Sequence, residues 1–294
     1  MLDAFEERRL LVGEAEIYFR VGGKGPPLLL LHGYPQTHVM WHRVAPRLSQ
    51  AFTLVMPDLR GYGRSKGPKA DPEHRGYSKR AMAEDMVRVM TALGFERFAV
   101  TGHDRGGRVG YRLCLDHPER VDSFAALDII PTLDVWEQMD ADAALSMFHW
   151  SFLAAPAPVP ERLIGGAPEF FVEQLLTRWS GNRLALDPKA VNAYLTQFRR
   201  PEVIAATCED YRAGATVDRE LDRIDREAGR KIACPVLVIW SRGYQASAKI
   251  PPVEVWRRWA DDLTQVALDC GHFVAEEAPE ACAEALWQFF RSGD

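Results

Sequence analysis

The sequence has 294 residues, enough for one large domain or for a domain that carries a sizeable insertion. Its hydrophobic share of 47% and charged share of 26% are typical of a globular enzyme. The net charge of -5 argues against a nucleic-acid-binding protein, and no apolar run approaches the roughly 20 residues that cross a bilayer. We therefore expect neither a nucleic-acid partner nor a membrane association.

The first residues and the cysteines indicate a cytoplasmic protein. The N-terminal stretch 1–7 is acidic and lacks the apolar core of a signal peptide. The five cysteines are scattered without a C-x-x-C pair, which favours reduced thiols over a disulfide framework or a zinc site. No motif for a metal or a dinucleotide is present, so we expect no cofactor and no metal.

Short apolar runs predict the strands of a parallel sheet. The run 27–31 is apolar throughout, as expected of a central strand that is buried on both faces. The other predicted strands are 15–21, which alternates like an edge strand or hairpin arm, and 52–56, 97–101, 123–127, 235–240 and 264–268. Helices are predicted over 40–48, 78–93, 107–113 and 279–290. Strands that alternate with helices predict a doubly wound α/β fold.

The pattern changes over 131–214, where helical segments are separated by prolines and aromatic residues are dense. We interpret this segment as a helical cap inserted over the carboxyl edge of the sheet, where it would exclude water from a site. The core domain would then comprise 1–130 and 215–294. Most of the aromatic residues of this segment are expected to form the core of the cap itself.

The run Gly102-His103-Asp104-Arg105-Gly106 lies between a predicted strand and a predicted helix. A reactive side chain at such a turn, with glycine two residues to either side, is the pattern of a nucleophile elbow. The central residue here is Asp, a carboxylate that is already ionised near neutral pH and that can attack a saturated carbon. The alternative is an ordinary Asp that caps the helix.

His272 and Asp128 are the predicted partners of Asp104. His272 follows the last strand next to a glycine, where this topology places a catalytic base. The strand 235–240 is followed by no carboxylate, whereas the strand after the elbow helix ends at Asp128, which we expect to orient the His272 ring. Asp128 could instead be a helix cap or a turn residue, and Asp122 is a weaker candidate because it precedes its strand.

Arg105 and Arg108 are three residues apart at the start of the elbow helix and therefore share one face. Two guanidinium groups beside a carboxylate nucleophile predict that a substrate carboxylate is held there bidentately. Surface salt bridges are the alternative role.

Several segments of the chain together resemble the fluoroacetate (haloacetate) dehalogenases of the α/β-hydrolase fold. These segments are Gly102 to Arg108, His32 to Gln36, His149-Trp150, Cys208 to Arg212 and Gly271 to Phe273. The resemblance extends over nearly the whole chain, and the Arg after the nucleophile distinguishes it from haloalkane dehalogenases and epoxide hydrolases, which carry Trp there. The sequence departs from the family pattern in the loops 60–66 and 242–248, near the expected mouth of the site.

The resemblance implies a mostly parallel sheet flanked by helices with an inserted cap, and a homodimer. It implies that Asp104 is the nucleophile, that Asp128 and His272 activate water, and that Arg105 and Arg108 bind the substrate carboxylate. It further implies a halide pocket formed by His149, Trp150 and Tyr211, with Trp179 as a further wall of the pocket. The backbone N–H groups of Tyr34 and Arg105 are expected to bind the oxyanion.

The expected reaction is the hydrolysis of a small 2-haloacid, such as haloacetate, to the hydroxy acid and halide through an aspartyl ester. An epoxide hydrolase, with Tyr211 and Tyr194 as acids, is the nearest alternative, and a haloalkane dehalogenase shares the same nucleophile. A small-acid binding protein without catalysis is a third alternative, because a fold does not determine a function.

Overall fold

A computed structural model describes residues 1–245 and 250–291. Residues 246–248 of the loop that departs from the family pattern lie outside the described residues. Eight strands form one sheet in the order β1-β2-β4-β3-β5-β6-β7-β8. The strands are β1 Glu6–Val12, β2 Ala15–Gly23, β3 Pro27–Leu31, β4 Thr53–Pro57, β5 Phe98–His103, β6 Val121–Leu127, β7 Val236–Ser241 and β8 Leu263–Leu268. The β1–β2 and β2–β4 pairs are antiparallel and the other pairs are parallel.

Fifteen α-helices are present in the described part of the chain. They are α1 Ala45–Leu48, α2 Lys79–Ala92, α3 Arg105–Asp116, α4 Thr132–Glu137, α5 Ala141–Ser146, α6 Phe148–Leu153, α7 Val159–Gly166, α8 Pro168–Trp179, α9 Pro188–Phe198, α10 Pro201–Ala215, α11 Val217–Glu227, α12 Arg242–Gln245, α13 Pro252–Trp256, α14 Val274–Glu277 and α15 Pro279–Arg291. Short 3₁₀ helices cover His38–Arg43, Arg75–Tyr77 and Arg183–Ala185.

The predicted strands are confirmed to within a few residues, with one addition. The apolar side chains of β3 are buried in the core, as expected of a strand covered on both faces. The alternating run 15–21 is the hairpin arm β2, and β1 forms the edge beside it. The sequence analysis missed β1 because its charged, exposed side chains give no apolar pattern.

The prediction of one continuous helix over 40–48 is wrong. The chain forms a 3₁₀ helix, His38–Arg43, and then the short helix α1. Thr37 caps the first of these by accepting a hydrogen bond from the Val39 N–H. Pro46 at the start of α1 has no N–H to continue the earlier turn, so a new helix begins there.

The carboxyl ends of the parallel strands are aligned at one edge of the sheet. Leu31 of β3 lies opposite Gly102 of β5, and His103 lies opposite Leu127 of β6. Leu127 in turn lies opposite Ile239 of β7. Side chains that directly follow these strands therefore meet at the same edge, where open α/β sheets place their ligands.

Helices α4 to α11 fall between β6 and β7. Their inner faces carry buried aromatic residues, among them Trp150 of α6, Trp179 of α8 and Tyr211 of α10. The interpretation of 131–214 as a separate cap stays a prediction. Helix α11 lies just beyond its predicted boundary and packs beside α4.

Candidate active site

Asp104 occupies the turn between β5 and α3 with φ 46° and ψ -116°. The backbone around this turn is so close-packed that only glycine fits on either side. A Cβ on Gly106 would lie 2.4 Å from the His32 carbonyl oxygen, and one on Gly102 would lie 2.4 Å from the Gly106 carbonyl oxygen. The Asp104 side chain also accepts no capping hydrogen bond from its helix. This geometry is that of a nucleophile elbow, and it differs from that of an ordinary N-cap.

The Asp104 carboxylate is 8% exposed and is held at one oxygen. The Tyr34 N–H donates to Oδ1 at 2.8 Å, which leaves Oδ2 as the oxygen free to attack. Burial raises the pKa of Asp104, but His272 and the two arginines outweigh this effect and hold the pKa below its ordinary value. The carboxylate is therefore ionised at neutral pH.

His272 lies between Asp104 and Asp128. Its Nδ1 is 2.7 Å from Asp128 Oδ2, and its Nε2 is 3.9 Å from Asp104 Oδ2. Asp128 is itself fixed, because its Oδ1 accepts a hydrogen bond of 2.8 Å from the Ser241 N–H. A proton on Nδ1, which this network favours, leaves Nε2 as the basic nitrogen that faces the nucleophile.

The surroundings of His272 set the pKa of the side chain and pack against its ring. Burial lowers the pKa of His272, but the hydrogen bond and charge of Asp128 outweigh this effect and leave the pKa raised. Tyr244 packs against the ring, with the ring centroids 4.5 Å apart.

Asp122, the weaker candidate for the orienting acid, lies at the surface and pairs with Arg97 at 2.6 Å.

Arg105 and Arg108 lie on the buried face of α3, next to Asp104. Arg105 donates from Nε and Nη2 to the Asp210 carboxylate, at 3.0 and 2.7 Å. Arg108 donates from Nη1 to the Ile130 carbonyl oxygen at 2.9 Å. Within the described residues, Arg105 Nη1 and Arg108 Nε are buried and have no hydrogen-bond partner. Each arginine therefore has a buried donor that a ligand could satisfy.

The three predicted halide-binding side chains are brought together above these arginines. The Tyr211 ring lies 5.8 Å from the His149 ring and 6.0 Å from the Trp150 ring, centroid to centroid. The Arg105 guanidinium lies 4.1 Å from the Tyr211 ring, and that of Arg108 lies 4.5 Å from the Trp150 ring. Three rings that each carry an N–H or O–H group thus lie together beside the two arginines.

Trp179 lies between the His149 ring of this group and the His272 ring. The His149 ring centroid is 4.5 Å from that of Trp179, which is 5.7 Å from that of His272. Burial lowers the pKa of His149 to about 3, so its ring is neutral and can donate only one N–H. Its Nδ1 is buried without a partner in the described part of the chain.

A model of the alpha/beta hydrolase fold family matches residues 26–279. The chain belongs to the α/β-hydrolase fold family. This α/β-hydrolase is 44% identical to a fluoroacetate dehalogenase from Burkholderia sp, over 100% of the chain and 97% of that relative. It is 30% identical to a soluble epoxide hydrolase from Corynebacterium sp. (strain C12), over 95% of each chain. A crystal structure of a protein from Nostoc sp PCC 7120 matches with a TM-score of 0.96 at 48% identity, over 99% of each chain.

These similarities confirm the predicted fold and the resemblance to the haloacetate dehalogenases, and they show that this α/β-hydrolase is an enzyme. The described helices include none that is both long and apolar enough to span a membrane. Over residues 1–245 and 250–291, no three His, Cys, Asp or Glu side chains are grouped as metal ligands. The five cysteines are unpaired.

The sequence analysis missed two residues of this α/β-hydrolase that support the site. Asp210, next to Tyr211, binds Arg105 from α10. His103 lies within hydrogen-bonding distance of the His272 carbonyl oxygen, with Nε2 at 2.7 Å. Both lie inside the segments that carry the resemblance, but their roles depend on contacts between residues distant in sequence.

Proposed function

We propose that the protein hydrolyses a small 2-haloacid, with haloacetate as the prototype, to the 2-hydroxy acid and halide. The observation that carries this proposal is the pair of unpartnered buried donors, Arg105 Nη1 and Arg108 Nε, beside the ionised Asp104. A haloalkane, which has no acceptor group, would leave both donors unsatisfied, at a cost of about 1–3 kcal/mol for each buried group. A carboxylate would accept from both and would place its neighbouring carbon at Asp104.

In the first step, Asp104 Oδ2 attacks the carbon that bears the halogen. The new C–O bond forms as the carbon–halogen bond breaks, and the halide takes the bonding electrons. The product is an ester of Asp104 with the hydroxy acid. No base is needed because the carboxylate is already charged.

The departing halide is expected to be bound by the N–H groups of His149 and Trp150 and by the O–H group of Tyr211. Fluoride is a small ion that develops concentrated negative charge as it leaves. Preorganised donors aimed at such charge typically accelerate a reaction by about a hundredfold or more each.

In the second step, water attacks the carbonyl carbon of the ester. His272 Nε2 takes one proton from the water, and the proton returns to the departing oxygen of the hydroxy acid. The Tyr34 N–H already contacts Asp104 Oδ1, the oxygen that becomes the ester carbonyl and then the oxyanion. The Arg105 N–H is the second expected donor. Hydrolysis regenerates Asp104 with one oxygen atom from water and releases one proton overall.

The experiment is a halide-release assay with fluoroacetate and chloroacetate, run beside a neutral haloalkane and an epoxide. We expect halide and glycolate from the haloacetates, and no such products from an Asp104→Asn variant. Diol from the epoxide without halide from the haloacetates would favour the epoxide hydrolase alternative. Turnover of the haloalkane alone would favour a haloalkane dehalogenase, and no turnover of any substrate would favour the binding protein.

The epoxide hydrolase alternative is supported by the 30% identical relative and meets two difficulties at the site. Of its two predicted acids, Tyr211 lies beside Arg105, but Tyr194 donates its O–H to Glu276 at 3.1 Å. The paired arginines also have no role in that reaction. We therefore favour the haloacid.

The proposal includes a cytoplasmic homodimer that works without a cofactor. Each chemical step uses only side chains, backbone N–H groups and water, and the unpaired cysteines fit a reducing compartment. The dimer is supported by the family resemblance alone. Sedimentation equilibrium of the purified chain would test it, and a monomeric mass would exclude it.

A further inference from the structure

A buried network of charged groups lies behind Arg105. At its centre is Asp210 of α10, which is fully buried. Its carboxylate accepts hydrogen bonds from Arg105, from the Tyr62 O–H at 2.6 Å and from the Lys79 ammonium group. Lys79 also pairs with Asp218 at 3.2 Å, so that two buried cations face two buried anions.

Asp210 uses three of the five N–H bonds of the Arg105 guanidinium. Nε donates to Oδ2 at 3.0 Å, and Nη2 donates both to Oδ1 at 2.7 Å and to the Asp210 backbone carbonyl at 2.9 Å. The two remaining N–H bonds are both on Nη1, the nitrogen without a partner in the described residues. Arg105 can therefore offer a ligand one nitrogen, and a two-nitrogen fork from this residue alone is excluded.

The orientation of Arg105 is restricted from further directions. The guanidinium lies 4.1 Å from the Tyr211 ring, which precludes a large rotation. A Cβ at Gly214 would lie 3.0 Å from Nη2, so the backbone of α10 also lies close to the group. Burial raises the pKa of Asp210, but Arg105 and Lys79 outweigh this effect and hold the pKa far below its ordinary value. The Asp210 carboxylate that binds Arg105 is therefore ionised.

We propose that Asp210 is a positioning residue of the carboxylate site, which turns Arg105 so that Nη1 faces the substrate beside Arg108. The substrate carboxylate is then held by Nη1 of Arg105 together with Arg108, whose Nε has no partner in the described residues. Because Asp210 lies on α10 and Arg105 on α3, the carboxylate site is complete only when these two helices are packed together. This inference rests on the proposed function and adds to it the source of selectivity for an anionic substrate.

The experiment compares Asp210→Asn with the unaltered protein on two substrates, chloroacetate and chloroacetamide. The two differ in whether the group next to the reacting carbon carries a charge. An amide at position 210 would turn N–H groups toward Arg105, so the Arg105 guanidinium would no longer be held in its orientation. We expect the ratio of kcat/KM for chloroacetate to that for chloroacetamide to fall about tenfold or more, mainly through a higher KM for chloroacetate.

Two further variants separate positioning from general loss of structure. Tyr62→Phe removes one donor to Asp210 and is expected to lower the same ratio about threefold, with only the small fall in melting temperature that the loss of one hydrogen bond causes. Asp225→Asn breaks the contact between Asp225 and Arg112, a buried arginine further along α3. It is expected to lower the melting temperature without changing the ratio.

A folded Asp210→Asn variant with a ratio within twofold of the unaltered protein would overturn the role of Asp210. If that variant does not fold, an unchanged ratio in Tyr62→Phe would overturn it. An unaltered protein that releases no halide from chloroacetate would refute the proposed function and this inference with it. Halide release with an unchanged ratio in the variants would refute the inference alone.

Discussion

Two of the three described non-glycine residues with positive φ are acids of the candidate site. Asp104 has a φ of 46° and Asp128 a φ of 53°, and His74 is the third. Residues with a side chain rarely adopt this region, and each costs on the order of 1–3 kcal/mol. Both acids directly follow a parallel strand, where the turn directs their side chains toward His272. The strain is thus concentrated where the proposed chemistry takes place.

At His272, the two proposed steps can be separated, because only the second step needs a base. His272→Ala is expected to lose turnover by about a thousandfold or more while the ester on Asp104 accumulates. Intact-mass spectrometry after incubation with chloroacetate should show the added carboxymethyl group. Asp104→Asn is the control and should show no addition. A His272→Ala protein that is inactive and also unmodified would contradict the two-step scheme.

The raised pKa of His272 predicts where turnover falls in acid. His272 must be neutral to accept a proton from water, so kcat should decline as the pH falls through the pKa of His272, which the hydrogen bond and charge of Asp128 raise. Asp104 loses its charge in the ester, which removes part of the rise in the pKa of His272, whereas the larger contributions of Asp128 remain. The measurement is the pH profile of kcat together with the amount of ester at about pH 5.5. A decline without accumulated ester would contradict this assignment.

At the scale of the element, the position of α3 depends on the close approach of its first turn to β3. In Gly106→Ala, the new Cβ would meet the backbone oxygens of Leu31 and His32 at 2.5 and 2.4 Å. Because backbone atoms cannot rotate away, we expect a loss of about 2 kcal/mol in the free energy of unfolding and a large loss of halide release. Denaturant unfolding measures the first quantity.

Gly165→Ala is the matched control for this substitution. Gly165 lies within α7, and a Cβ there would meet nothing within 4 Å. Alanine in a helix is favoured over glycine, so this variant should be unchanged or more stable by about 0.5–1 kcal/mol. Equal effects of the two substitutions would show that α3 tolerates a side chain at its first turn.

Glu276 of α14 joins the loop after β3 to helix α9. Its Oε2 accepts hydrogen bonds from the Gln36 amide and from the Tyr194 O–H. Burial raises the pKa of Glu276 to about 8, and these hydrogen bonds offset only part of that rise. The side chain is therefore a protonated acid at neutral pH and carries a buried charge above about pH 8.

The raised pKa of Glu276 determines whether the free energy of unfolding rises or falls with pH. Between the ordinary value of 4.5 and about 8, the folded protein holds a proton that the unfolded chain has lost. The free energy of unfolding should therefore be highest below this window and should fall as the pH rises through it. Glu276→Gln removes the titration and should be the more stable protein at about pH 9, by about 2 kcal/mol.

Denaturant unfolding at about pH 5, 7 and 9 measures this difference. Glu280→Gln, which changes an exposed carboxylate on the next helix, is the control and should follow the unaltered protein. Parallel stability curves for Glu276→Gln and the unaltered protein would show that Glu276 is ionised throughout.

At the scale of the whole molecule, the sheet and the three central residues could be predicted from sequence. Parallel strands covered on both faces appear as unbroken apolar runs, and their carboxyl ends meet at one edge. Asp104 and Asp128 directly follow parallel strands and His272 follows the last one, so their order along the chain was enough to group them. The charged edge strand β1 has no apolar run and was therefore not predicted.

The partner of Arg105 could not be predicted in the same way. Asp210 lies 105 positions from Arg105 in the sequence, and the two meet only because α10 packs against α3. The sequence predicted that the two arginines hold a substrate carboxylate bidentately. The folded chain instead binds Nε and Nη2 within the protein and leaves one nitrogen for the ligand. Such long-range polar pairing leaves no local signal.

The whole molecule encloses the site, since Asp104, both arginines and His272 are all buried beneath α6, α8 and α10. A charge in such surroundings interacts far more strongly than in water, which suits a reaction in which one anion displaces another. The central claim is that the displacing anion is Asp104 and that water enters only afterwards.

One single-turnover experiment tests this claim directly. Excess protein is mixed with chloroacetate in water labelled with heavy oxygen, and the peptide that contains Asp104 is analysed by mass spectrometry beside the glycolate. We expect the label to enter the Asp104 carboxylate and the glycolate from the first turnover to carry none. Label in the glycolate with none in Asp104 would mean that water attacks the substrate itself, and it would contradict the account.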